Sequence, residues 1–201
     1  MELIDQSAEL MFDVDGDLLI SQIEAVARTC YQSEDKIDTG TAAKLVARLR
    51  DSGHHAMLEF GSLTFRLITD RGVTHELVRH RIASYAQEST RYCNYGKLGI
   101  KFVIPVDFIL DEYDRALLNQ IEDHYDFDIS RGRTPQQARY FLPNGLKTEI
   151  IVQMNFRELL HFFELRIDKA AHPQMRALAN DMLYLCKEKI PVVFDNLELG
   201  G

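Results

Sequence analysis

Residues 146–167 read LKTEIIVQMNFRELLHFFELRI. Leu146 to Met154 reads as a strand. Asn155-Phe156-Arg157-Glu158 then forms a capping-box-like pattern, with Asn155 in the cap role, and predicts a helix running to about Ile167. A strand that passes directly into a capped helix makes this a mixed chain. Upstream, Ser62 to Ile68 (SLTFRLI) alternates as a strand, and Lys101 to Ile104 predicts a short one ending at Pro105. Asp17 to Tyr31 predicts a helix, with Leu18, Ile20, Ile23, Val26 and Ala27 near one stripe. Thr39 to Arg50 predicts another, stopped by Gly53. Gly72 to Ile82 is compatible with a helix. Asp111 to Tyr125 predicts a polar-faced helix carrying Leu117, Leu118 and Ile121. Thr134-Pro135 pairs a cap with proline at the first helical position. His172-Pro173 opens a last helix with Met175, Leu178, Ala179, Met182 and Cys186 on its buried stripe. The elements lack the regular βαβ alternation of a doubly wound sheet, which favours an α+β class.

The chain has 201 residues and is 46% hydrophobic. A chain of that size buries roughly 70% of its unfolded surface, enough for one domain with a real core. No 18-residue apolar stretch exists and the first residues lack a signal-peptide pattern, so the expectation is a cytoplasmic protein with no membrane partner. Cys30, Cys93 and Cys186 are scattered, with no C-x-x-C pair, which disfavours a zinc ribbon or disulfide framework. A net charge of −8 disfavours a general nucleic-acid binder. Against that acidic background Arg79, His80, Arg81 and Arg91 crowd one segment, which suggests a small anionic ligand. Neither G-x-G-x-x-G nor a P-loop is present, so any dinucleotide would need another cradle.

That segment, residues 74–95, reads THELVRHRIASYAQESTRYCNY. Its centre is Arg79-His80-Arg81, followed after seven residues by Ser89, then Arg91-Tyr92. It resembles the signature motif of flavin-dependent thymidylate synthases. His54 to Glu59 (HHAMLE) upstream, and Asn155-x-Arg157 with Leu165-Arg166 downstream, match that family's flanking segments in the right order. The resemblance spans about Ala25 to Leu185. It implies a single-domain α+β fold over residues 1–201, with a central, mostly antiparallel sheet flanked by helices, assembled as a homotetramer with sites shared between subunits.

The resemblance also implies an activity: methylation of dUMP to dTMP, with 5,10-methylenetetrahydrofolate as one-carbon donor and FAD reduced by NADPH as redox carrier. It implies that dUMP is bound by Glu76, Arg79, Gln87, Glu88, Ser89, Thr90, Arg91, Lys147 and Arg166. FAD would be held by His54, Ala56, Glu59, Arg79, His80, Arg81, Gln87, Asn155, Arg157 and His161. Arg166 is the implied catalytic residue, lying against the pyrimidine and stabilising uracil deprotonated at N3. No cysteine nucleophile is implied.

Physical chemistry agrees with several of these roles. A guanidinium is a planar fork of donors suited to phosphate and uracil carbonyls. A fixed cation beside a nitrogen favours its anion. On a continuous helix Arg79 and Arg81 would point about 200° apart, so either the helix ends there or it lies between two ligands. Arg157 and His161 would share a helix face. A nucleophilic Ser89 lacks a readable Ser-His-Asp arrangement. A metal site at His54, His55 and Glu59 lacks the H-E-x-x-H order and a compact third ligand, so no metal is expected. The chain departs from the family pattern at Glu76, Ala86 and Cys30, where Gln, Asn and Ser are common. Glu149 stands where many members have a dUMP-binding Arg. Lys147, two residues away on the same strand face, is the candidate replacement cation. The alternative function is a non-catalytic module that binds a nucleotide through the Arg79–Arg91 cluster.

Overall fold

The structure is a computed structural model that describes residues 1–200. Its strands are β1 (Glu2–Ile4), β2 (Ser7–Leu10), β3 (Ser62–Asp70), β4 (Ala83–Gln87), β5 (Lys101–Val103) and β6 (Lys147–Asn155). Its helices are α1 (Gly16–Thr29), α2 (Thr41–Asp51), α3 (Arg71–Leu77), α4 (Tyr95–Leu98), α5 (Glu112–Ser130), α6 (Pro135–Ala138), α7 (Phe156–Arg166), α8 (Pro173–Lys189) and α9 (Pro191–Phe194). A four-stranded sheet runs in the order β2-β3-β6-β4, every neighbour antiparallel. β1 and β5 form a separate parallel pair.

The sheet buries one face. Leu63, Phe65, Leu67 and Thr69 of β3, and Thr148, Ile150, Val152 and Met154 of β6, alternate inward. This period of two is what a strand with one covered face requires. The covering layer is helical: Phe156, Leu159, Phe162 and Phe163 of α7, and Met175, Leu178, Ala179, Met182 and Cys186 of α8, share one cluster with α1, α2 and α9 residues. A smaller cluster of Tyr95, Ile100, Phe102, Tyr125, Ala138 and Leu146 holds the excursion between β4 and β6.

The junction that opened the sequence reading is realised one residue later, with β6 ending at Asn155. The Asn155 side chain caps α7 by accepting from the Glu158 N–H. Gly61 lies directly beneath this junction, where a Cβ would stand 2.3 Å from the Phe156 ring. Close approach of backbone to ring therefore needs glycine here.

Three sequence expectations are corrected. The stretch to Ile82 is not one helix: α3 stops at Leu77. The hydroxyl of Tyr85 reaches the carbonyls of Leu77 and His80 at 2.8 and 2.7 Å, which stabilises a turn in place of a further helical turn. Arg79, His80 and Arg81 thus sit on that turn. Gln87 is the last residue of a strand, β4, rather than part of a loop. Strands β1 and β2 were not anticipated; with 3 and 4 residues they are too short for periodicity to declare them.

Candidate functional site

Residues of α3, β4 and α7 surround His80. The turn after α3 drops its imidazole onto α7, where it is 5% exposed. Its Nδ1 lies 3.0 Å from Glu158 Oε1. On the other side of the ring, Arg166 Nε donates to His80 Nε2 at 3.1 Å. The Arg166 guanidinium also donates from Nη1 to Glu76 Oε2 of α3 at 3.1 Å, while Nη2 makes only a long 3.5 Å contact with the Glu76 carbonyl. His161 stands next to the imidazole, ring centres 5.8 Å apart, and Phe162 meets it edge-on at 4.9 Å. Burial pushes the His80 pKa down, as do Arg166 and His161, while Glu158 opposes them. Tyr85, packed beneath the turn, is pushed up to about 12 by burial and by Glu158.

A cavity of about 900 Å³ opens over the start of α7. Glu59, Asn155, Arg157 and His161 line it together with His55 and Glu158. Arg157 pairs with Glu59 at 2.6 Å across its mouth. His54 and Ala56 lie just outside it and are exposed, His54 facing a neighbouring pocket. Arg79 and Arg81 are exposed, and their side chains have no hydrogen-bonding partner among the described residues. The donor set fits a flavin dinucleotide: guanidiniums suit a pyrophosphate, and amide and imidazole groups suit the polar edge of a flavin ring.

The residues after β4 form a compact turn. Glu88 is the hub: its carboxylate accepts from Lys147 Nζ at 2.7 Å, from the Tyr95 hydroxyl at 2.6 Å and from the Glu149 N–H at 3.2 Å. Ser89 closes the turn by accepting from the N–H groups of Tyr92 and Cys93 on its carbonyl. Thr90 is buried and accepts from Arg139, beside a second cavity of about 700 Å³. Arg91 is exposed, donates to Gln136 at 2.8 Å and stacks over Tyr92. Gln87 points inward, donating to Thr74 and Thr148.

Lys147 and Glu149 do share a strand face, 3.9 Å apart. Glu149, however, is gripped by Arg66 of β3 at 2.7 and 3.1 Å, and this hydrogen bonding lowers its carboxyl pKa. Lys147 is paired with Glu88 rather than standing free. Two participants escaped the sequence reading. Glu158 had been absorbed into the capping pattern, and nothing marked Arg66 as the partner of Glu149.

The family model described as "Thymidylate synthase complementing protein" matches residues 20–192. A flavin-dependent thymidylate synthase of Geobacter sulfurreducens is 36% identical over 183 residues, 86% of this chain and 79% of that protein. The chain belongs to the flavin-dependent thymidylate synthase family. Another flavin-dependent thymidylate synthase, from Corynebacterium diphtheriae, is 34% identical over 196 residues, covering 88% of this chain and 78% of its own length. A solved structure of the UMP/dUMP methylase PolB from Streptomyces cacaoi, bound with 5-Br dUMP, superposes with a TM-score of 0.78 at 24% identity. It covers 97% of this chain and 96% of that one, and speaks for the fold. In this family member Arg79, His80 and Arg81 lie on the turn between α3 and β4, and Arg157, His161 and Arg166 lie on α7.

Proposed function

We propose that this chain methylates dUMP to dTMP, with 5,10-methylenetetrahydrofolate as one-carbon donor and FAD reduced by NADPH as redox carrier. Family membership supports the reading, and the observation that carries it is Arg166, a guanidinium held on two edges and 20% exposed. A cation fixed in this way stabilises the N3 anion of uracil and enriches C5 in electrons without reorganising during the reaction. When bound, the flavin supplies the redox chemistry. The protein's part is to bind, orient and polarise. His54, Ala56, Glu59, Asn155, Arg157 and His161, with Arg79, His80, Arg81 and Gln87, hold FAD. Glu76, Arg79, Gln87, Glu88, Ser89, Thr90, Arg91, Lys147 and Arg166 hold dUMP, with Lys147 offering a cation where Glu149 is neutralised by Arg66.

One domain over residues 1–201 carries these groups, and the site is completed in a homotetramer. The cavity walled by Asn155, Arg157 and His161 does not include Ser89 or Arg91, and Thr90 lines a different one. The test is one preparation measured twice. The purified protein should be yellow and lose that colour under NADPH. It should also sediment as a tetramer. A colourless protein that still binds dUMP would favour a non-catalytic nucleotide-binding module, and a monomer that binds FAD stoichiometrically would remove the shared site.

The same route needs no thiol. Cys30 is exposed, Cys93 half-buried and Cys186 buried in the main core, where burial raises its pKa well above that of a free thiol. Replacing all three by Ala or Ser should leave dTMP formation within about tenfold, with modest packing losses at Cys186. Complete loss of turnover in a folded, flavin-loaded triple variant would show that the route is wrong.

A further inference from the structure

Glu158 is 6% exposed; it borders the cavity over α7 but is not among the groups assigned to hold a ligand. A carboxylate that far from water is costly unless it is hydrogen-bonded, and its side-chain partner is His80. We propose that Glu158 is a positioning residue which, through the imidazole of His80, fixes the plane of the Arg166 guanidinium. The proposal rests on Arg166 being the activating cation.

The argument starts from the one group in the chain that cannot reverse its role. A guanidinium nitrogen only donates. Arg166 Nε stands 3.1 Å from His80 Nε2, so Nε2 must be the bare, accepting nitrogen. The ring proton then resides on Nδ1 and donates to Glu158 Oε1 at 3.0 Å. The other tautomer would fail at both ends together: Nδ1 would turn a lone pair on a carboxylate, and Nε2–H would meet Nε–H. Protonated His80 would keep Glu158 but repel Arg166. The carboxylate therefore selects the tautomer, and the tautomer holds the arginine. Glu76 fixes a second edge of the same guanidinium. With Nε and Nη1 both engaged the fork cannot swivel, and Nη2 is left for a ligand.

The charged and titratable groups around His80 are Glu158, Arg166 and His161 of α7, Tyr85 of β4 on its carbonyl, and Glu76 of α3 reached through Arg166. Burial, Arg166 and His161 favour the neutral ring, and Glu158 alone favours the charged one. Activity should therefore fall on the acid side, as His80 takes up a proton and releases Arg166. Removing the Glu158 charge lowers the His80 pKa further, so the acid limb should move to lower pH even as the plateau drops.

Glu158→Gln is the variant to make. It keeps shape but can present either N–H or C=O to Nδ1, so the tautomer is no longer dictated. With FAD content unchanged and KM for dUMP within about threefold, kcat should fall about ten- to a hundredfold, as when an orienting partner is removed behind a working group. Glu158→Asp, which keeps the charge, should recover part of that loss. A purely structural role would not shift the acid limb. Independently of turnover, ¹⁵N spectra of histidine-labelled protein without substrate should show His80 protonated at Nδ1 and bare at Nε2, and the mixture should change in Glu158→Gln. The proposal is overturned if wild-type His80 carries its proton on Nε2, or if Glu158→Gln keeps both the kcat and the acid limb of the parent. If Arg166→Ala itself turns over normally, the activating role fails instead. If Arg166→Ala is crippled and Glu158→Gln is not, only the positioning role fails.

Discussion

Arg166→Ala should make dTMP about a hundredfold more slowly than the parent while still folding and binding FAD. Uracil N3 is a weak acid, and its anion needs a positive charge already in place. Removing one preorganised charge of this kind costs on the order of 3 kcal/mol, or about two decades of rate. The contacts at Arg166 sharpen the expectation. Its Nε and Nη1 face His80 and Glu76 at 3.1 Å each, so the guanidinium is a rigid plate rather than a mobile side chain. Arg166→Lys should recover little, because a single ammonium cannot meet both partners and still present a planar edge. Glu164→Ala, two residues away on the exposed side of α7, should be mild. The assay is dTMP formation beside NADPH oxidation on the same preparations, at a pH where His80 stays neutral. An Arg166→Ala enzyme that makes dTMP at the parent rate, or that is inactive only for want of FAD, removes the assignment.

Phe163→Ala should produce the largest loss of stability of any single change considered, with no direct effect on a ligand. Phe163 is fully buried on the inner side of α7 and packs edge-on against Phe162 and Phe194, with ring centres 5.4 and 5.9 Å apart. Truncation loses the transfer energy of the ring and leaves a cavity that a close-packed core closes only in part, about 3–5 kcal/mol. For a chain of this length that lowers Tm by roughly 10 °C. Phe127→Ala is the comparison: the ring is 57% exposed beneath the Arg131 guanidinium and should cost little. Thermal unfolding of both variants without ligands decides it, since equal midpoints would mean that α7 is not anchored through this cluster.

The sequence carried some of this fold openly. β6 passing into α7 was legible because a strand pattern, a capping asparagine and a helical stripe follow one another without a gap. The last helix was legible because His172-Pro173 starts it and a period near 3.6 continues it. Strand β4 was hidden because its residues belong to the same motif that suggested a helix, and its pairing with β6 and the Tyr85 hydroxyl on two carbonyls of the turn are long-range or side-chain contacts that no local pattern declares. Of the two arrangements open to Arg79 and Arg81, the one in which the helix stops is realised, since α3 ends before either residue. Arg166, Arg157 and His161 could be named from the family pattern, whereas Glu158 could not be distinguished from a helix-capping residue, since its burial depends on a turn 78 residues away in sequence. Arg66 and Glu149 are 83 residues apart and meet only because β3 and β6 are neighbours, so no local pattern could pair them. That Lys147 and Glu149 share a face was readable, because alternation is a local property; that Glu88 holds Lys147 was not.

Helix α7 has a further consequence as a measuring rod. Arg157 and Arg166 are nine steps apart, about 13 Å of rise and two and a half turns, so they leave the rod on opposite sides. Arg157 looks outward to the cavity and Arg166 inward to His80. The separation and the half-turn between them are set by backbone hydrogen bonds, which side-chain substitution hardly alters. Deleting one residue between them would rotate one end against the other by about 100° and shorten the rod by about 1.5 Å, while the helix itself could persist. In this segment a change of length is therefore a graver event than a change of letter at an exposed position without a ligand role, such as Glu164.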